Sequence, residues 1–375
     1  MKKASLIISI IIFIISCFIA YDVINRKEEI HFIPTITEID DGVKSIKFKV
    51  DTFYLAIGES EKLNYDIESS KDDYKLTWSS ENEDIVSISD GKIVGVNLGT
   101  SVVTLKSESG KKAEVSVMVT DLIRKPELDD KKKFLPCHAY TEEEAHIIDD
   151  ALRTRVLNKG EGTRAALIET IRFITLSFKY KVSYFYENGR MHESGVRKAD
   201  GEGRYYHKGL YLSEDKFKDI KVSHKGPAIW GCPLTNLQDH NRYKPGAKMP
   251  NGLDCSGFVT WSLYNSGLDV GDIGAGINDR HKDMSDVGEM HSLTYEYANS
   301  SDYKVGDVIA RWGHTALIAG KDSEYLYIAE SLLKGVRIEK VSYKNPNSSL
   351  YKYYAYINKM DKEYSKNDDY TDMWE

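Results

Sequence analysis

From Phe48 onward the apolar residues of this chain recur at about every second position, the period of a strand with one buried face. The β-rich pieces are FKVDTFYLAI, KLNYDI, YKLTWSS, DIVSIS, KIVGV, SVVTLKS and AEVSVMV. Turn residues separate them, among them Ile57-Gly58-Glu59, Ser89-Asp90-Gly91 and Ser109-Gly110-Lys111. About seven short strands in some seventy residues predict a β-sandwich.

LTWSSENEDIVSISDGKIVGVNLGTSVVTLKS resembles the bacterial Ig-like group 2 domain at Trp78-Ser79-Ser80, Asn82, Val86, Asp90-Gly91, Val94-Gly95 and Gly99-Thr100. The resemblance covers roughly residues 48–120 and implies a spacer or adhesion module at a cell surface. Trp78 is expected to fill the core between the sheets, and Asp90-Gly91 to make a tight hairpin. No catalytic cluster lies in this segment.

At 375 residues the chain is long enough for two or three domains. Its net charge of −7 argues against a nucleic-acid surface, which needs a basic patch or stripe. Met1-Lys2-Lys3 precedes 18 uncharged residues, Ala4 to Tyr21, a run that just spans a bilayer core as a helix. It fits an uncleaved anchor, a lipoprotein signal with Cys17 lipidated, or a cleaved secretory peptide. Each of the three exports the rest of the chain. Of the four cysteines, Cys137 and Cys232 could pair or could stay two small buried hydrophobes.

After a charged stretch from Asp121 to Lys133 the period becomes helical. Thr141-Glu142-Glu143-Glu144 is a capping box, and Ala145, Ile148, Ala151, Leu152 and Val156 form an apolar stripe. Thr163 caps a second helix bearing Leu167, Ile171, Ile174 and Phe178. The pair reads as a helical hairpin that supports the C-terminal half of the chain. A helix is then expected from 255 to 266, ended by Gly267. β-type segments come next at 307–311, 314–319, 325–329, 336–340 and 351–357, an α+β order. The acidic tail after Lys359 is expected to be disordered.

The chemistry centres on NGLDCSGFV, residues 251–259. Asp254 would cap the helix and Cys255 would lie in its first turn. There the exposed N–H groups and the helix dipole favour an anionic sulfur, the nucleophilic form. Ser256 and Gly257 are small enough to leave room for a carbonyl. A thiolate needs a base, and WGHTALI places His314 directly after a glycine at the start of an apolar strand. Glu330, at the end of the next strand, could reach the far nitrogen of that ring. Its other reading is a solvated carboxylate at a strand end.

These pieces, in this order, resemble the NlpC-type cell-wall cysteine peptidases, a papain-like group. GLDCSGFV matches the nucleophile helix, KVGDVI the strand before the histidine, GHTALIAG the histidine strand and GVRIEK the strand after it. PAIWGC, residues 227–232, matches the family's upstream "PYvWGG" segment. There Ala228 stands at the place of the tyrosine and Cys232 at the second glycine. The third catalytic position falls on Ala329 or Glu330. The resemblance implies catalysis by Cys255 and His314 and substrate contacts from Asp254, Ser256 and Trp230; the family usually has His, Asn or Gln at the third position, so Glu330 is carried as the third catalytic residue on its strand position and not on the resemblance. Tyr205 or Tyr206 could supply the missing hydroxyl, and Tyr206 is carried as the substrate-binding candidate. It requires no metal or cofactor, and no H-E-x-x-H spacing occurs.

The expected architecture is therefore multidomain: an all-β Ig-like sandwich followed by an α+β papain-like domain with an N-terminal helical hairpin. The expected divisions are a signal or anchor (1–25), a stalk (26–47), the sandwich (48–120), a linker (121–137), a helical extension (138–204), the peptidase domain (205–358) and an acidic tail (359–375). The implied partners are peptidoglycan and, through the N-terminal segment, the membrane. The expected activity is hydrolysis of amide bonds in peptidoglycan stem peptides at the cell surface. The alternatives are an inactive surface-binding or adhesion protein, or an amidase or acyltransferase on the same Cys–His pair.

Overall fold

The computed structural model describes residues 40–129, 131–185, 207–208, 211–212, 220–222, 230–237, 244–268, 270–271, 273–276 and 284–365. The expected anchor and most of the expected stalk lie outside the described residues. Among those described, no helix is long and apolar enough to cross a membrane.

Nine strands come first: β1 Val43–Phe48, β2 Thr52–Leu55, β3 Ser60–Lys62, β4 Tyr65–Ser69, β5 Leu76–Ser80, β6 Val86–Ser89, β7 Lys92–Gly95, β8 Gly99–Ser107 and β9 Lys112–Val119. They form a four-stranded sheet (β2-β9-β8-β5), a three-stranded sheet (β3-β7-β6) and the pair β1-β4. Phe53, Leu55, Leu63, Ile93, Leu105 and Val117 meet in one core, so this part is an all-β sandwich. β1 begins at Val43, so residues 43–47 belong to the sandwich and not to a stalk. Trp78 is not at the centre of the core. It sits half-buried on β5, an edge strand, against Phe48 and Tyr65 with ring centroids 5.7 and 5.8 Å away. The hairpin between β6 and β7 forms as expected. Asp90 and Gly91 both take positive φ, 50° and 77°, the conformation a two-residue turn of this hand requires. A Cβ at Gly91 would lie 2.9 Å from the Trp78 ring.

The helical hairpin is α1 Glu142–Lys159 and α2 Arg164–Arg172, the latter prolonged by a π-helical turn, Phe173–Ser177. Both bonds of the capping box are made: Glu144 N–H donates to Thr141 Oγ1 (3.2 Å), and Thr141 N–H to Glu144 Oε2 (2.7 Å). The five residues of the apolar stripe are all buried. The segment expected as a linker is packed onto the hairpin. Ile123 and Leu135 are buried, Arg124 N–H donates to Ser177 O (2.9 Å) and Leu135 N–H to Lys181 O (3.0 Å). Cys137 and Cys232 form a disulfide across 95 residues.

Sandwich and hairpin share a buried ionic joint. Arg155 donates to Glu59 through both terminal nitrogens (2.8 Å each) and to Glu169 (3.3 Å). Arg172 donates to Glu61 (2.8 Å) and Glu169 (3.2 Å), and Lys159 to Glu61 (3.1 Å). Three carboxylates thus meet three cations, the balance that buried charges require. Tyr54 and Ala56 of the sandwich enter the same apolar core as the two helices.

The remaining elements are the short strands β10 His207–Lys208, β11 Tyr211–Leu212, β12 Ile220–Val222, β13 Leu234–Asn236 and β14 Lys248–Met249, then α3 Cys255–Asn265, β15 Glu289–Ser292, α4 Tyr295–Ala298, β16 Val308–Arg311, β17 His314–Lys321, β18 Tyr325–Leu332, β19 Gly335–Ser342, α5 Ser349–Tyr353 and β20 Tyr356–Lys359. β15–β20 make one six-stranded antiparallel sheet of order β15-β20-β16-β17-β18-β19. α3 packs against β17 and β18.

Two expectations change here. Residues 351–357 are not one strand: the chain turns through α5, with Ser348 extended at its N-cap position. It then enters the sheet as β20 beside β16. Tertiary burial of Leu350 and Tyr354 outweighs the β preference of the aromatic run. The tail is packed as far as Ser365. Met360 and Tyr364 are buried, Tyr364 donates to Gly306 O (2.6 Å), and Arg164 donates to Asp361 (2.8 Å). Residues 366–375 lie outside the described residues.

Candidate active site

Asp254 is extended (φ −80°, ψ −174°) and its Oδ1 accepts from Gly257 N–H at 2.6 Å, a strong N-cap. The cap fixes the start of α3 so that Cys255 is its first residue. Cys255 is 7% exposed and keeps its thiol, the other two described cysteines being bonded to each other. Phe258, Val259, Trp261 and Leu263 bury the helix. The segment just before it is held from two sides. Leu253 N–H donates to Ser183 O (3.0 Å), and Leu253 O accepts from Ser331 Oγ (2.7 Å). The end of β18 is thereby fastened to the residue two positions before the sulfur.

His314 opens β17 after the two-residue turn Trp312-Gly313, where Gly313 takes φ +74°. β17 and β18 pair Leu317 with Ala329. Continuing that register puts Glu330 opposite Ala316 and one diagonal step from His314, on the same face. His314 Nε2 and Glu330 Oε2 lie 2.8 Å apart, both side chains buried. β18 and β19 pair Glu330 directly with Arg337, whose Nε and Nη2 donate to Oε1 at 3.0 and 2.7 Å. Tyr354 donates its hydroxyl to Oε2 at 2.9 Å.

Burial alone would raise the Glu330 carboxyl. The donors from His314, Arg337 and Tyr354 outweigh it and hold the group below the usual glutamate range. Tyr354 is pushed well above the ordinary tyrosine range, by burial first and then by the Glu330 charge, so it remains a donor. Against an ionised Glu330, Nε2 of His314 carries the proton, and Nδ1 is the nitrogen left to accept one from a thiol. The arrangement combines an anion-favouring helix start with an imidazole of fixed tautomer, the parts that nucleophilic catalysis by cysteine needs.

The structure thus joins His314 and Glu330 directly and packs the helix of Cys255 against their strands. The residues expected to contact substrate have structural partners of their own. Trp230 is fully buried, its ring centroid 5.3 Å from that of Trp261, so it supports the helix that Cys255 begins. Asp254 is occupied as the cap, and Ser256, also buried, donates to it at 3.3 Å. Tyr205, Tyr206 and Ala228 lie outside the described residues. Arg337 and Tyr354 escape the sequence reading. The short stretch Leu333-Lys334 between two apolar strands carried the register that sets Arg337 against Glu330. Tyr354 carried no such signal.

No family model matches this chain, and no curated protein matches it. Among solved structures, domains 4 and 5 of the surface-layer protein SbsC align at 20% identity and a TM-score of 0.19, over 21% of this chain and 52% of that one. A mutant intimin of EHEC O157:H7 aligns at 15% identity and a TM-score of 0.17, over 30% of this chain and 64% of that one. This chain therefore spans about half of the first structure's length and under two thirds of the second's.

Proposed function

We propose that the chain is an exported cysteine peptidase of the papain-like NlpC type that hydrolyses amide bonds in peptidoglycan stem peptides. The observation that carries the reading is the buried His314–Glu330 pair, which holds the imidazole with Nε2 engaged, on a strand packed against the helix that Cys255 begins. In this scheme the Cys255 thiolate attacks the amide carbonyl to give a tetrahedral oxyanion. The Cys255 backbone N–H is a donor for that oxyanion, and a single such donor can lower the barrier by about 3 kcal/mol. His314 passes its proton to the leaving amine as the thioester forms. It then takes a proton from water, which attacks the thioester and releases the acid and the thiol. Glu330 stays ionised and holds the ring throughout.

The substrate class rests on location and on the motif resemblance: the N-terminal apolar run fits export and tethering, and the sandwich resembles a surface module. Because the sandwich is ionically locked to the helical hairpin, it holds the hydrolase region in a fixed attitude and does not act as a loose leash. Digestion of purified peptidoglycan by wild type and by Cys255→Ala, read by mass spectrometry of the released muropeptides, tests the reading. New stem-peptide fragments are expected from wild type alone. Identical product spectra from the two proteins would remove it. Cleavage at the sugar-to-peptide amide, or capture of the acyl group by an added amine, would reassign the same pair to an amidase or an acyltransferase.

A further inference from the structure

Glu330 presents two oxygens to different tasks. Oε2 is shared by His314 and Tyr354, while Oε1 is taken by two nitrogens of Arg337. The terminal torsion of a glutamate is broad, so burial alone would not fix the plane of this carboxylate. Two donors of one planar guanidinium converge on Oε1 while His314 and Tyr354 hold Oε2, and anchoring both oxygens at once fixes the plane. Arg337 is itself steadied from its outer side, since Nη2 also donates to Glu339 Oε2 at 2.8 Å. We propose that Arg337 is a positioning residue for His314 acting through Glu330, setting the carboxylate's plane and keeping it charged so that the imidazole stays aligned for the sulfur. This deepens the peptidase reading and rests on it.

The other charged or titratable groups facing this cluster, among the described residues, come from three elements. α5 and its end bring Tyr353 and Tyr354, their rings 5.5 and 6.0 Å from that of His314. β16 brings Arg311, whose guanidinium lies over the Tyr353 ring at 4.4 Å. α3, which packs against β17 and β18, begins with Asp254 as its cap and Cys255 as its first residue. Arg337 is the full positive charge bonded to the carboxylate. Without it, burial is opposed by fewer donors, the carboxyl rises, and the ring loses its anionic anchor at a higher pH.

The test needs no identified substrate. Iodoacetamide labelling of Cys255 in the full-length protein, followed across pH on the Cys255 peptide by mass spectrometry, reads the reactive thiolate directly. In Arg337→Gln the acid-side midpoint of labelling should move up by about one pH unit. Arg337→Lys keeps the charge and loses the fork, so its midpoint should stay at the wild-type value while its rate falls severalfold. If Arg337→Gln does not fold, the lysine variant carries the test. A wild-type rate and midpoint in the folded variants overturn the proposal while leaving the peptidase reading intact. A wild-type Cys255 that labels no faster than a small free thiol overturns both.

Discussion

Two of the buried charge clusters among the described residues are built alike and differ in one partner. The joint between sandwich and hairpin sets Glu59, Glu61 and Glu169 against Arg155, Arg172 and Lys159. The row across the large sheet sets Glu330 against His314, Arg337 and Tyr354. The physics of the carboxylates is the same. Burial raises Glu169 as it raises Glu330, and in both places the donors outweigh it and hold the group ionised. The difference lies in one donor. Every cation of the joint is an arginine or lysine and none is an imidazole, so the cluster serves geometry. The row substitutes an imidazole for one of them, a group whose second ring nitrogen is of the kind that can accept a proton. Buried charge makes a joint where every cation is an arginine or lysine, and the proposed catalytic row where one partner is an imidazole.

That contrast predicts opposite failures. The largest effect is expected for His314→Ala. It should lower the proposed hydrolysis of peptidoglycan stem peptides by roughly 10³-fold, the scale of a positioned general base. Glu330 keeps Arg337 and Tyr354 as donors, so the urea midpoint should move little. A variant that unfolds instead would place His314 among structural residues and break the comparison from the chemical side.

Glu59→Gln addresses the other cluster. It removes the charge that Arg155 meets through both terminal nitrogens, deep inside the interface. Removing one partner of a buried pair costs about 3–5 kcal/mol, read as a large drop in the urea midpoint. Turnover per folded molecule should be unchanged, because none of the joint residues touches the site row. If Glu59→Gln instead slowed turnover at full stability, the two clusters would be coupled and the contrast between joint and site would fail.

What the sequence made legible tracks the range of each interaction. The cap at Asp254, the helix it starts and the capping box at Thr141 are local patterns, and each forms within a few residues of its expected place. Glu330 could be proposed because a neighbouring antiparallel strand fixes its distance from His314 to a few register steps. The joint was invisible, since Glu59 and Arg155 are 96 residues apart and an isolated charge on a strand or helix reads as solvated. The Cys137–Cys232 bond was open for the same reason. Tyr354 was lost because a run of tyrosines suggests a strand. Trp230 and Ser256 carried motif letters but not their burial, which is decided by what packs over them.

The smallest effect sharpens the comparison most. Thr141→Ala removes the side-chain half of the capping box at the exposed start of α1, a loss of about 1 kcal/mol. The site is far from it in sequence, and turnover should not change. The informative quantity is how the loss is distributed. α1 carries Arg155 and Lys159 into the joint and packs in the core that continues under α3 and the large sheet. If the ionic joint makes sandwich, hairpin and sheet one cooperative unit, the variant shows one urea transition, shifted as a whole, with tryptophan fluorescence and far-ultraviolet dichroism coincident. If the sandwich is only attached, its transition keeps the wild-type midpoint while the rest moves. The buried pairs Arg155–Glu59 and Arg172–Glu61 between sandwich and hairpin, and Arg164–Asp307 between hairpin and sheet, favour the single transition, because no part can leave without exposing half of an ion pair and stranding the other half.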